Sequence, residues 1–437
     1  MDISEQLAFL RQTVNRAAER ADLNQDRKYA SLPPVAQPEY VLETGAEPGR
    51  YIEDLVSGQI VETPLGKHFE TEQLYATHRR HGSFDISDLA QLPHDLLASL
   101  SDNAIPSADP ATWAFLDTET TGLAGGSGTY AFLIGVGSID PDGFRVRQFF
   151  LRDYGDEPSA LHALSAYLKR FQVLVTYNGK SYDQPLLETR YTMCRARHPF
   201  GNMEHLDLLY GARRLYKMRL ENCRLVSLES EILGIERVGD IPGEMIPYTY
   251  FEYLRTKRAH RLLPILQHNV LDIVSLACLT AVIPEAFRDP HQVKARHGTD
   301  LLGIARWLIA SERETEALSI LRRAIALGLP DQYLFRTLFD TGCLEKKLGL
   351  ADLYVATFAD LSESKNPYQS RAFEELAKFY EHKDRNYSMA LECTRAARRV
   401  EDSLALRTRQ DRLEAKAAKA SQPRLKLSRR VTLISTP

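Results

Sequence analysis

Two acids, Asp117 and Glu119, close an apolar run that begins at Trp113, and they limit the fold of this chain more than any other pair. Ten residues rich in Thr and Gly follow, and a second apolar run, Tyr-Ala-Phe-Leu-Ile-Gly-Val-Gly, starts at Tyr130. Apolar, polar and glycine-rich, then apolar again is the pattern of two strands joined by a long connection. Alternate side chains of a strand share a face, so the two carboxylates point the same way. Held together they repel each other, and a divalent cation is the usual remedy. A lone Asp-x-Glu is far more often a plain acidic turn, so the weight rests on what accompanies it.

At 437 residues the chain is long for one domain. A formal net charge of −3 argues against a uniformly basic nucleic-acid binder, although a local basic groove remains compatible with it. The five cysteines are scattered without a Cys-x-x-Cys pair, which suggests neither a disulfide framework nor a cysteine zinc site. The apolar runs read as too short to span a bilayer, and the first residues lack the apolar core of a signal peptide. The expectation is a soluble, cytoplasmic protein with no membrane partner.

Taken in order, residues 3–20 carry Leu7, Leu10, Val14 and Ala17 at helical spacing. Residues 22–111 are rich in Pro, Gly and His and read as an irregular module with short strands around 50–62. Its His78-Arg79-Arg80-His81 cluster reads as a solvated basic turn rather than a metal site. Three strands are expected at 113–116, 130–139 and 144–151. A helix over 157–171, a buried strand over 173–177, a helix over 184–194 and a short strand near 205–208 follow. Helical segments over 225–233 and 264–282 end the domain. Beyond Pro290 the pattern turns wholly helical, with helix pairs over 305–327 and 372–397 that have small residues where they cross. After Leu404 the tail is basic, from Arg407 through Lys416 to Arg424, Lys426, Arg429 and Arg430.

Two further acidic signals join the first. Asn178-Gly-Lys180-Ser-Tyr182-Asp183 follows the buried strand and opens a helix, which by itself makes Asp183 an N-terminal capping candidate. His268-Asn-Val-Leu-Asp272 lies inside the last helix, where four-residue spacing puts both side chains on one face. Hydrolysis of a phosphodiester needs a nucleophilic water and positive charge at the phosphoryl oxygens, and clustered carboxylates holding divalent ions supply both. Asp207, in His205-Leu-Asp207-Leu, could face the site from a strand end, and reads as a residue supporting the ligands or as structural rather than as a ligand. The Gly122 to Gly128 segment lacks the Gly-Lys-Ser/Thr ending of a phosphate loop.

These three motifs, in this order, resemble those of the DEDD 3′→5′ exonucleases of the RNase H-like superfamily, and most of all the bacterial YprB-like branch with its tetratricopeptide-like repeats. The resemblance covers residues 111–283 and, more loosely, the helical C-terminus. It implies an α/β fold, an RNase H-like mixed sheet flanked by helices, followed by an all-α helical-repeat domain. It implies Asp117, Glu119, Asp183 and Asp272 as ligands of two divalent ions, Mg²⁺ or Mn²⁺, and His268 as the residue that orients or deprotonates the attacking water. His268 stands four residues before Asp272, the register that the family's Tyr subtype uses; its His subtype uses five. Thr118, Asn178, Lys180 and Tyr182 are expected substrate contacts, nucleic acid the substrate, and the repeats a surface for a protein partner. The expected boundaries are 1–110, 111–288, 289–404 and a basic tail over 405–437. An internal cut, as by an RNase H-like endonuclease, is one alternative. A helical-repeat scaffold with a degenerate nuclease fold is another.

Overall fold

The computed structural model describes residues 51–122 and 128–420. The helix expected over 3–20, most of the glycine-rich connection and the tail cations Arg424, Lys426, Arg429 and Arg430 lie outside these residues. Among the described residues, chain contacts separate a unit ending at Ala295 from a second that begins at Arg296.

Among the described residues the first unit holds nine strands: β1 Gly58–Thr63, β2 Gly66–Ala76, β3 Arg80–His81, β4 Phe84–Asp85, β5 Trp113–Thr120, β6 Ala131–Asp140, β7 Gly143–Phe150, β8 Val173–Thr176 and β9 Glu204–Asp207. Seven make one mixed sheet in the order β1-β2-β7-β6-β5-β8-β9, and β3 and β4 pair separately. β5, β6 and β7 are antiparallel, while β8 lies parallel to β5 and β9 parallel to β8. Three antiparallel strands followed by two parallel ones is the order expected of an RNase H-like fold. Trp113, Ala114, Phe115 and Leu116 are all buried, as a central strand covered on both faces requires.

The sequence placed residues 51–110 in a module apart from the sheet, whereas β1 and β2 extend it by antiparallel pairing of β2 on β7. A buried polar chain locks this hairpin down. Ser159 Oγ lies 2.8 Å from His68 Nδ1, His68 Nε2 lies 2.8 Å from Glu70, and Arg147 pairs with Glu70 at 2.6 Å. His81, expected in a solvated turn, is buried with its Nε2 2.8 Å from Ser275 Oγ. Burial pushes its pKa down to about 4, so the ring is neutral.

Among the described residues its α-helices are α1 Ile52–Leu55, α2 Glu157–Leu168, α3 Asp183–Met193, α4 Leu208–Tyr216, α5 Leu225–Leu228, α6 Ile246–Thr256 and α7 Leu263–Arg288. A five-residue π segment, Glu229–Leu233, continues α5. The stretch Ala259–Arg288 is long and apolar enough to cross a bilayer, so the run is longer than the sequence expectation allowed. Its most apolar window is 72 % buried inside the protein, which makes α7 the central helix of a core. Glycines let it approach. A Cβ on Gly135 would stand 2.2 Å from Asn269 Oδ1 and 2.3 Å from Ile273 Cδ1, and one on Gly137 2.6 Å from Ile273 Cγ2. The Gly-Val-Gly of β6 is therefore the seat of α7. On the other side, Tyr250 of α6 stacks on Phe132 with ring centres 3.9 Å apart and donates to the Leu151 carbonyl.

The second unit is all helical: α8 Gly298–Ala310, α9 Glu314–Leu327, α10 Asp331–Lys347, α11 Ala351–Glu363, α12 Gln369–His382, α13 Tyr387–Val400 and α14 Leu404–Ala420. Small residues sit where helices cross; a Cβ on Gly342 would stand 2.8 Å from the Phe358 ring. Phe339, Tyr354, Phe358, Leu361 and Leu376 form its core with Ala372 and Ala377. The buried Glu381 accepts from Arg409, Arg412 and Lys416 of α14.

Candidate metal centre

β5 carries the first two acids. Asp117 pairs across to Gly135 and Glu119 to Leu133, and the register slips by a bulge between Glu119 and Thr120. Bulges end regular pairing and re-aim side chains, and this one lies directly after the acids. Asp183 is the first residue of α3, and Thr118 Oγ1 donates to its Oδ1 at 2.5 Å. α3 is fixed by Arg190, whose guanidinium makes two bonds of 2.6 Å to the buried Glu157 of α2. His268 and Asp272 come from α7, with Nε2 and Oδ2 3.5 Å apart. Glu119, His268 and Asp272 have potential ligand atoms all within 4.8 Å of one another.

Burial and mutual repulsion act together on these acids. Burial, then the charges of Asp272 and Asp183, hold the Asp117 carboxyl well above its ordinary range. Burial and the neighbouring Asp117, Asp272 and Asp183 do the same to Glu119. Burial raises Asp183 to about 6, against the lowering effect of Thr118. Such a site binds protons or cations in preference to standing empty of both. The donors are carboxylate oxygens and an imidazole, so the set fits a divalent ion by its chemistry.

Protein donors orient three of the four acids. Asn269, fully buried on α7, donates through Nδ2 to Asp117 Oδ2 at 2.9 Å and accepts from Gln148 Nε2 of β7 at 2.8 Å. Thr118 holds Asp183, as above. Arg237 Nη2 donates both to Asp272 Oδ1 and, at 2.6 Å, to Glu229, while Nε grips Glu229 at 2.7 Å and Nη1 Asp240 at 3.0 Å. Asp240 also receives His268 Nδ1, at 2.7 Å to one oxygen and 2.9 Å to the other. Burial opposes a charged imidazole here, but the hydrogen bond to Asp240 prevails and raises the His268 pKa.

The motif residues therefore meet: Asp117, Glu119, Asp183, His268 and Asp272 share one site. Of the expected substrate contacts, Lys180 and Tyr182 are exposed beside Asp183. Asn178 takes a left-handed backbone, φ 66°, and its N–H donates to Asp207 Oδ1 at 2.8 Å, while the Lys180 N–H donates to Oδ2 at 3.1 Å. Asp207 also accepts from the Leu209 N–H at the start of α4, so its carboxylate is taken up by three backbone donors. Sequence reasoning missed Asn269, Gln148, Arg237 and Asp240. Asn269 follows His268 directly and was legible as the inward neighbour of a motif residue. Arg237 and Asp240 lie on an irregular connection without periodicity and carry no such signal.

Two comparisons with known proteins fit this picture. The RNase_H_2 family of the RNase H superfamily matches residues 114–283, the span from β5 into α7. YprB of Bacillus subtilis (strain 168), a protein described as uncharacterized, is 32 % identical over 331 residues, 73 % of this chain and 77 % of that one. The sheet order and the clustered acids agree with these matches: the chain carries an RNase H superfamily domain and belongs to the family of YprB.

Proposed function

We propose that the chain is a metal-dependent 3′→5′ exonuclease that hydrolyses phosphodiester bonds at single-stranded ends of nucleic acid. The observation that carries this is the convergence of Asp117, Glu119, Asp183 and Asp272 from three separate elements, beside His268, in a domain of a nuclease superfamily. Two divalent ions held by these four carboxylates would place positive charge on the phosphoryl oxygens and make water a better nucleophile. The protein's part is to keep the carboxylates aimed. Asn269 fixes one oxygen of Asp117, Thr118 one of Asp183 and Arg237 one of Asp272, which limits the reorganisation needed when ions and strand arrive. Lys180, Tyr182 and Asn178 flank Asp183 and are the proposed strand contacts, Tyr182 by stacking on a base. The 3′→5′ direction follows from the motif resemblance. The helical unit is proposed to bind the distal strand or a protein partner.

The test is hydrolysis of 3′-labelled and 5′-labelled single-stranded DNA and RNA with Mg²⁺, Mn²⁺ or chelator. Mononucleotide release from the 3′ end that stops in chelator is expected. Internal fragments would identify an endonuclease, and full activity in excess chelator would overturn the reading.

A further inference from the structure

Glu119 is the odd member of the acid cluster. It is only 9 % exposed, yet among the described residues no hydrogen-bond donor reaches its carboxylate, whereas Asp117, Asp183 and Asp272 each have one. A largely buried carboxylate with no protein donor and with acids for neighbours is best satisfied by a cation. Asp272 and His268 have potential ligand atoms within 4.8 Å of it and of each other, and the imidazole is oriented to share that cation. Asp240 sits 2.7 Å from Nδ1, so the neutral ring carries its proton on Nδ1 and presents the Nε2 lone pair on the opposite side. Arg237 Nη1 lies 3.3 Å from the same Nδ1, a longer contact than those of 2.7 and 2.9 Å to the Asp240 carboxylate, and the carboxylate sets the tautomer. Nε2 faces Asp272 Oδ2 at 3.5 Å, too far for a strong hydrogen bond and a spacing suited to two ligands of one ion.

We infer that Glu119, Asp272 and His268 Nε2 together ligate one cation, that Asp240 is the outer carboxylate which fixes the imidazole, and that the ion is one that accepts nitrogen, Mn²⁺ before Mg²⁺. Carboxylates alone would suit Mg²⁺ well; an imidazole in the set shifts preference toward transition metals. A carboxylate behind a ligating His raises its basicity and holds its orientation. Arg237 belongs to the same support, since its bidentate hold on the buried Glu229 anchors the guanidinium that pins Asp272. This gives His268 a ligand's part in place of the water-activating one the motif resemblance implies. It rests on the proposed nuclease function for what the ion is used for, but not for how the ion is held.

The experiment uses the full chain, freed of metal and titrated with MnCl₂, and reads electron spin-echo modulation from the bound Mn²⁺. Coupling to one coordinated nitrogen is expected, changed when the histidines carry ¹⁵N and absent in His268→Gln. Asp240→Asn should keep the nitrogen coupling and weaken Mn²⁺ about 10–100-fold. By calorimetry Mn²⁺ should bind at least about tenfold more tightly than Mg²⁺, and that ratio should shrink in His268→Gln. The labelled parent protein decides the ligand without any variant, so a variant that folds poorly does not obscure the result. Bound Mn²⁺ with no nitrogen coupling, coupling that survives His268→Gln, or no binding at millimolar Mn²⁺ would overturn the inference. An inactive protein with nitrogen-coupled Mn²⁺ would sink the nuclease function and leave the ion site standing. An active one without the coupling would do the reverse.

Discussion

Asp117 shows how one side chain can be a burden to the ion-free fold and indispensable to the site. Its folded pKa is raised, so the folded chain binds this proton more tightly than the unfolded chain does. That contribution favours folding at low pH and is lost as pH rises from the ordinary carboxylate range through the folded value. Glu119 and Asp183 act in the same direction. Asp117→Asn should therefore raise the melting temperature in chelator at pH 8, by a few degrees for about 1 kcal/mol, and abolish hydrolysis. Thermal melts of both proteins with chelator and with excess Mg²⁺ or Mn²⁺ check this. Ion at 100 times its Kd should stabilise the parent by about 2.7 kcal/mol and the variant by much less. Asn269→Ala removes the donor to Asp117 and leaves Gln148 without the Asn269 acceptor, although its bond to the Leu266 carbonyl remains. Its expected cost is about 1–3 kcal/mol in denaturant unfolding, beyond which activity should fall through a lower kcat. Of these residues the sequence displayed Asp117, Glu119, Asp183 and Asp272, because motif spacing marks side chains on regular elements. It hid Arg237 and Asp240, because what defines them is a partner some 30 positions away.

β6 and α7 meet only because Gly135 and Gly137 lack side chains. Gly135→Val would push on Asn269 and Ile273, which lie under 3 Å from even the first carbon added. Overpacking of this kind costs about 1–3 kcal/mol. Because Asn269 is displaced with it, ion affinity should fall further than stability, a comparison that calorimetric titration and melting make on one sample. In the helical unit, α12 and α14 are joined through Glu381. Burial works against its charge, but hydrogen bonds from Arg412 and Lys416 win and hold its pKa down to about 2. A depressed carboxylate contributes stability that is present above its unfolded pKa, near 4.5, and lost as pH falls toward 2. After screening around the half-exposed Arg412 and Lys416, that is about 1–2 kcal/mol. Glu381→Gln should lower the melting temperature at pH 7 and flatten its decline between pH 5 and 3. An equally steep decline would mean that other acids govern the transition. The order of strands and helices was legible in the chain because each buried run has its own period. The hairpin β1–β2 was legible only as short strands around 50–62 and not as part of the sheet: it lies at the edge, exposes Glu62 and Lys67, and is joined to the rest through β7.

The whole molecule divides its tasks. All five motif side chains come from the unit ending at Ala295, which has a core of its own around Phe132, Phe150, Leu161 and Tyr250. A protein ending after Ala295 should still hydrolyse short oligonucleotides within about tenfold of the parent rate. It should bind long strands or a protein partner more weakly, as gel shifts with oligonucleotides of increasing length would show. Equal binding of all lengths would reduce the helical unit to a stabilising role. The site also has a schedule. Asn269 reaches back 152 residues to Asp117, so the acids of β5 leave the ribosome long before the helix that completes their site. At about 5–20 residues per second, that interval is roughly 8–30 s. Throughout it the glycine face of β6 lies bare and the nascent chain has no working centre. The enzyme proposed here could not cut the message that encodes it until α7 had been made.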